Sequence, residues 1–419
     1  MGFKFIHAAD IHLDSPLRGL SAYENAPAEQ LRNASREALK ELISKAIEER
    51  VSFIVFAGDL YDGDWRDYNT GIFFAAQMGR LAKAGIRAFV LYGNHDAESE
   101  MTKKLLLPDN VFTFSSRSAQ VHTIDELKVA LHGQSFASRA VTDNLAANYK
   151  PRVNDYFNIG VLHTALQGYA AHANYAPCTV DELHAKGYDY WALGHVHDYQ
   201  RWDGPSTIIF PGNLQGRHIR ETGRKGAVLV SVDDAGHATT ERLYLDILRW
   251  ELLRIDVSAC TDLDSATRAV GQGLSQLLEA DNVPRAIRVE LQGQTQIHGL
   301  LFGNAANLRA QVLAQAAAID AEQLWIEKVK VATAPAETSL PSSESNEALA
   351  ELRSIFAEAG QDPAFLEELQ SQLRPFLNKV SDDLRHDVPL LEWARQNRLT
   401  DIVQEVAPSL LARLSTRAD

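Results

Sequence analysis

Five stretches of this chain share one layout: an apolar run that breaks off in a short cluster of Asp, Asn and His. They are "FKFIHAADIH" (Phe3–His12), "FIVFAGD" (Phe53–Asp59), "FVLYGNHD" (Phe89–Asp96), "IGVLHTA" (Ile159–Ala165) and "YWALGHVHD" (Tyr190–Asp198). A near-continuous apolar run of this length reads as a strand covered on both faces. In α/β sheets ligands bind at the carboxyl ends of strands, which is where these polar clusters fall. The layout therefore predicts five strand ends of one sheet converging on one crevice. Between the runs lie helical patterns. Pro27–Arg50 sets Leu31, Leu39, Leu42, Ala46 and Ile47 on one stripe, and a second helix is expected over about Asn69–Lys83. A further strand fits Thr207–Phe210. Alternating strands and helices through about residue 245 predict an α/β fold.

The residue types at the strand ends suit a pair of metal ions. His offers a neutral nitrogen, Asp a hard anionic oxygen and Asn a carbonyl oxygen. Residues i and i+2 of an extended chain point to one side, so Asp10 and His12 are expected to grip together, and His195 and His197 share that spacing. A carboxylate such as Asp59 has two oxygens and can bridge two ions. Two ions a few ångströms apart can clamp a phosphoryl group and activate water for in-line attack. Gly58, Gly93 and Gly194 precede the polar residues, where the backbone must turn and approach closely. Taken singly, "GNHD" is an ordinary turn and "GHVH" a polar loop. Their joint occurrence in this order, each at a strand end, is what points to metal.

This ordered set resembles the calcineurin-like metallophosphoesterase superfamily: Asp-x-His, GD, GNH, a lone His and GH-x-H are matched over the first 215 residues or so. The resemblance implies a four-layer αββα sandwich. It implies that Asp10, His12 and His197 hold one metal, that Asn94, His163 and His195 hold the second, and that Asp59 bridges them. His95 would be the catalytic residue, protonating the leaving oxygen or stabilising the pentavalent phosphorus, a role that suits an imidazole. Asp62 and Asp96 would orient neighbours. His7 is expected to be packed within its strand. His122, His132, His172, His184, His218, His237, His298 and His386 lack paired spacing and are expected not to ligate. "FPGNLQGR" (Phe210–Arg217) resembles the family's loop beside the site. Arg217 or Arg220 would there touch phosphate, or else form an ordinary salt bridge.

"AADIHLDSPL" (Ala8–Leu17) followed by "GDLYD", "GNHD" and "GHVH" resembles the SbcD and YhaO branch of DNA repair exonucleases. That branch carries a small capping domain after the phosphoesterase domain. Residues 1–245 are read as the phosphoesterase domain and 246–332 as an α+β cap. Residues 333–345, which contain "APAETSLPSSES" (Ala334–Ser345), are read as a linker rich in Pro, Ser and Thr, and 346–419 as a helical partner-binding region. The resemblance implies manganese-dependent cleavage of DNA, with iron or zinc also compatible with the ligands. It also implies a coiled-coil ABC-type ATPase of the SbcC or YhaN kind as partner, and it allows a homodimer. In some relatives the third residue after the bridging Asp is a His that helps at the site; here it is Asp62.

Charge sets a limit on this reading. A net charge of −14 over 419 residues argues against a freestanding DNA binder, which ordinarily carries a basic face. A phosphoesterase acting on nucleotides or small phosphate esters is the alternative, and a binding subunit with a relic site a third reading. No 18-residue uncharged apolar run occurs, so no membrane span is expected, and the N-terminus reads as having no signal peptide. The two cysteines, Cys178 and Cys260, suggest neither disulfide nor zinc chemistry, which fits a reducing cytoplasm.

Overall fold

The computed structural model describes residues 2–15, 28–62, 68–97, 106–166, 175–336, 347–380 and 389–415. Most of the expected linker, together with His172, His386, Pro16, Leu17 and Asn346, lies outside them. Two compact units are present: Met1–Glu251 with Val283–Ala286, and Leu252–Asn282 with Ile287–Asp419.

The first unit is built on two six-stranded sheets rather than one. The first sheet centres on β1 (Phe3–Ala8), β2 (Phe53–Ala57), β3 (Arg87–Leu91) and β4 (Val111–Thr113), all parallel. The second contains β5 (Gln120–Ile124), β6 (Val129–Gly133), β7 (Phe157–His163), β8 (Tyr190–Gly194), β9 (Gln200–Trp202) and β10 (Thr207–Phe210), with β6, β7, β8 and β10 parallel. Two antiparallel strands, β11 (Gly226–Val232) and β12 (Ala238–Tyr244), complete the first sheet, giving the orders β12-β11-β1-β2-β3-β4 and β5-β6-β7-β8-β10-β9. The convergence is therefore between the strand ends of two sheets. Alternation explains the layering. Phe3, Phe5, Phe53, Val55 and Phe89 point from the first sheet into a shared core with Val129, Leu131, Ile159, Val161 and Ile209 of the second. Ile6, Ile54, Phe56 and Val90 point the other way, against α1 (Ala28–Glu48) and α2 (Tyr68–Lys83). The outer face of the second sheet packs Trp191, Ile208 and Phe210 under a 3-10 turn at Leu145–Asn148 and α3 (Val180–Ala185). The order is helices, sheet, sheet, helical segments: the four-layer α/β sandwich. The helix α1 buries Ala34, Ala38, Leu39, Leu42, Ile43 and Ala46, the three- and four-residue spacing of one helical face.

The second unit has a three-stranded sheet, β13 (Arg249–Asp256), β14 (Arg285–Thr295) and β15 (Leu324–Pro335), in that order. Its helices α4 (Leu263–Ala280), α5 (His298–Gly303) and α6 (Ala305–Asp320) share a core in which Val270, Leu274, Leu301, Leu308 and Val312 meet Ile287, Val289 and Ile326. A capping box, Asp262 with Ser265, starts α4. The strand β15 runs on to Pro335, into residues read as linker. Beyond it come α7 (Glu347–Ala359), α8 (Pro363–Leu377) and helices at Pro389–Arg395 and Leu399–Ser415, the last of which packs on α5 and α7. Among the described residues no helix is long and apolar enough to cross a membrane.

Candidate metal centre

All eight residues picked out above come together at the carboxyl ends of β1, β2, β3, β7 and β8. Asp10, His12, Asp59, Asn94 and His163 are at most 3% exposed, and His195 is 9% exposed. Two groups of donor atoms lie within 4.8 Å of one another: Asp10, His12 and His197, and Asp59, His163 and His195. A third, of His12, Asp62 and His95, adjoins them. Asn94 joins the second group through Oδ1, 2.9 Å from His163 Nε2.

The local backbone departs from simple strand alternation. Strand β1 ends at Ala8, and Asp10 and His12 have φ of 51° and 44°. Asp59 (50°) and His195 (106°) are also left-handed. Such conformations cost non-glycine residues roughly 1–3 kcal/mol each. They persist because the loop is tied down: Asp10 N–H donates to Gly58 O and His12 N–H to Asp59 O, both at 3.0 Å. So Asp10 and His12 reach one group through a coiled loop, not through an extended pair. His195 and His197, by contrast, enter different groups.

Electrostatics here asks for positive charge. Burial raises the Asp10 carboxyl, against the opposing pull of His197 and His163. Burial would raise Asp59 as well, but the His163 charge facing it holds that carboxyl well below the usual range. Burial in turn would lower His163, yet Asp59 wins and pushes it up to about 9. His12 is pushed down to about 3 by burial and then by Arg217, which leaves it neutral, the form a metal needs. His12 Nε2 lies 3.2 Å from His197 Nε2. Two imidazole nitrogens facing each other among buried carboxylates are a donor set that fits a divalent ion.

Supporting contacts surround these groups. His163 Nδ1 is 3.0 Å from Ala57 O, which directs its Nε2 inward. The buried Asp96 carboxylate accepts from the N–H groups of Leu60 (3.2 Å), Tyr61 (3.0 Å) and Gly93 (2.9 Å), joining the loops after β2 and β3. Burial, then the Asp59 charge, pushes it up to about 7. Asp62 accepts from Ser15 Oγ at 2.7 Å and lies 3.1 Å from His95 Nδ1. The nearby His12 and His95 rings hold the Asp62 carboxyl far down. Burial would lower His95, but the bond to Asp62 raises it. One participant had no sequence signal: Glu221, whose Oε1 is 2.8 Å from His197 Nδ1. The other described histidines behave as packed or peripheral groups. His7 is bound by Tyr190 OH and Leu193 O, and His132 stacks on Tyr188.

Comparison with known proteins agrees with this geometry. Residues 3–199 match the calcineurin-like phosphoesterase family, and residues 250–334 match the middle domain of metallophosphoesterase YhaO. The chain is 36% identical over 293 residues to "Uncharacterized metallophosphoesterase YhaO" of Bacillus subtilis, covering 69% of this chain and 71% of that one. It is 26% identical over 303 residues to the DNA double-strand break repair protein Mre11 of Methanopyrus kandleri, covering 64% and 63%. A second Mre11, from Thermoplasma acidophilum, is 23% identical over 73% of this chain. The chain belongs to the calcineurin-like metallophosphoesterases, metal-dependent phosphoester hydrolases, and within them to the YhaO type.

Proposed function

We propose that this protein is a two-metal, manganese-dependent DNA nuclease of DNA repair that works with a coiled-coil ATPase in the cytoplasm. The observation that carries the two-metal reading is the position of Asp59. Its Oδ2 is 3.3 Å from His163 Nε2 and 4.0 Å from His12 Nε2, so one carboxylate oxygen faces both donor groups. Asp10, His12 and His197 would hold one ion, Asn94, His163 and His195 the other, and Asp59 would bridge. When bound, the ions supply charge stabilisation at phosphorus and activate water. The remaining steps belong to side chains. His95, 27% exposed and held through Nδ1 by Asp62, leaves Nε2 to give a proton to the leaving oxygen. Arg217 stands beside it.

The nuclease reading is supported by the Mre11 relatives and by the match of 250–334 to a YhaO middle domain, taken as the cap. The partner reading is supported by α8, which among its described side chains buries none and shows Phe365 and Phe376 to solvent. Residues 346–419 would be the docking region. A net charge of −14 favours a shared DNA surface over lone binding. It equally favours the second reading, hydrolysis of nucleotides or small phosphate esters.

The deciding experiment is cleavage of single- and double-stranded DNA with Mn(II), beside nucleotides and p-nitrophenyl phosphate. His95→Ala is expected to slow DNA cleavage by about 10²–10⁴-fold while calorimetry still counts two bound ions. Small esters turned over far faster than any DNA would transfer the conclusion to the second reading.

A further inference from the structure

Glu221 lies outside every motif of the sequence, is 5% exposed, and spends both oxygens on the site wall. Oε1 accepts from His197 Nδ1 at 2.8 Å and from an Arg217 guanidinium nitrogen at 2.9 Å. Oε2 accepts from the Arg217 backbone N–H at 2.7 Å and from Asn213 Nδ2 at 2.9 Å. The other side of the same guanidinium is 3.9 Å from Asp62 Oδ1, and Asp62 holds His95. A continuous chain therefore runs His197, Glu221, Arg217, Asp62, His95.

We propose that Glu221 is a positioning residue that fixes the His197 ring for metal and holds the Arg217 guanidinium ready for the substrate phosphate. The inference rests on the two-metal reading. A carboxylate only accepts, and Glu221 Oε1 at 2.8 Å lies nearer to Nδ1 than the Arg217 guanidinium nitrogen at 3.3 Å, so the His197 ring carries its proton on Nδ1. That leaves the Nε2 lone pair on the side of His12 Nε2, 3.2 Å away. Partners of this kind set the orientation and basicity of a ligating imidazole. Arg217 is clamped between two carboxylates with its side chain only 17% exposed, so its rotamer freedom is already spent before substrate arrives. A planar guanidinium held this way keeps N–H groups for a phosphate's oxygens. A pair kept only for stability needs no third partner on the ring of a metal-group histidine. One carboxylate serving both means that altering it changes metal affinity and substrate affinity together.

Glu221→Gln, Glu221→Asp and Arg217→Lys, beside wild type, separate these roles. Mn(II) binding is read by calorimetry, hydrolysis of bis-p-nitrophenyl phosphate by KM and kcat, and folding by thermal melting. In Glu221→Gln one of the two Mn(II) sites is expected to weaken about 10- to 100-fold, the other to hold, and KM to rise, with melting little changed. Glu221→Asp keeps the charge on a shorter arm and should fall between. Arg217→Lys should raise KM with both metal sites intact. Wild-type affinity at both sites in both Glu221 variants overturns the inference. So does equal weakening of both sites with a fall in melting temperature, or failure of both variants to fold, since either makes Glu221 merely structural. Wild type binding fewer than two Mn(II) ions removes the two-metal reading and this inference with it; wild type binding two while Glu221→Gln matches it removes this inference alone.

Discussion

A Cβ at Gly93 would run into an Asp59 carboxylate oxygen and the His163 ring, and its backbone does not need glycine for any left-handed conformation. Its requirement is space, so Gly93→Ala displaces the one carboxylate that faces both donor groups. We expect Gly93→Ala to keep its circular-dichroism spectrum and to lose at least one Mn(II) ion on calorimetric titration; two ions at wild-type affinity would show that Asp59 does not bridge. The candidate ligands were legible because each one follows an apolar run within a few residues, so local order carries the signal. Glu221 was not, because it lies 24 positions from His197 in sequence and meets it only through tertiary structure. The loop motif that was noticed stops at Arg217, four residues short. The alternation argument for Asp10 and His12 expected an extended pair where the backbone is left-handed, since no pattern of residue types reveals a positive φ on an Asp or His.

At the scale of elements, His7 of β1 reaches across to β8 of the other sheet, with one ring nitrogen 3.0 Å from Tyr190 OH and the other 3.0 Å from Leu193 O. Burial pushes its pKa from 6.5 down to about 3. Between those values the unfolded chain binds a proton that the folded chain refuses. The stability contributed by neutral His7 is therefore whole above pH 6.5 and declines as pH falls, by up to about 1.4 kcal/mol per unit. In urea titrations with EDTA present, the advantage of wild type over His7→Asn should shrink between pH 6.5 and 4.5; a constant difference would refute this. Further along, Gly160 of β7 carries no side chain because the Trp191 ring of β8 occupies that space. Gly160→Ala should cost about 1–3 kcal/mol through overpacking, read as a lower urea midpoint with unchanged slope. Strands such as β2 were legible because they are apolar throughout. The hairpin of β5 and β6 was not, since its half-exposed first strand, "QVHTI", alternates too weakly. The division into two sheets was not legible either, because partner choice between distant strands leaves no local trace.

At the scale of the whole molecule, the phosphoesterase unit stores its costs at one end. Two buried carboxylates, Asp10 and Asp59, stand near each other among neutral and charged imidazoles, on loops with four left-handed non-glycine residues. An ion that offsets those charges binds the folded chain far better than the unfolded one, so metal and folding are linked. A ligand at a hundred times its dissociation constant stabilises by about 2.7 kcal/mol. Across a unit of this size each kcal/mol moves the melting temperature by roughly 2–4 °C, so saturating Mn(II) should raise the transition by several degrees over the EDTA-treated protein. The shift should vanish in Asp59→Asn, whose amide cannot bridge two cations as an anion does; the change also removes the carboxylate that faces His163, so the apo variant should itself melt lower than apo wild type. Calorimetric melting of both proteins, with and without Mn(II), makes the comparison. Equal shifts in the two would mean that the ion responsible sits elsewhere, because only a site organised around Asp59 gains its stabilisation from neutralising that carboxylate.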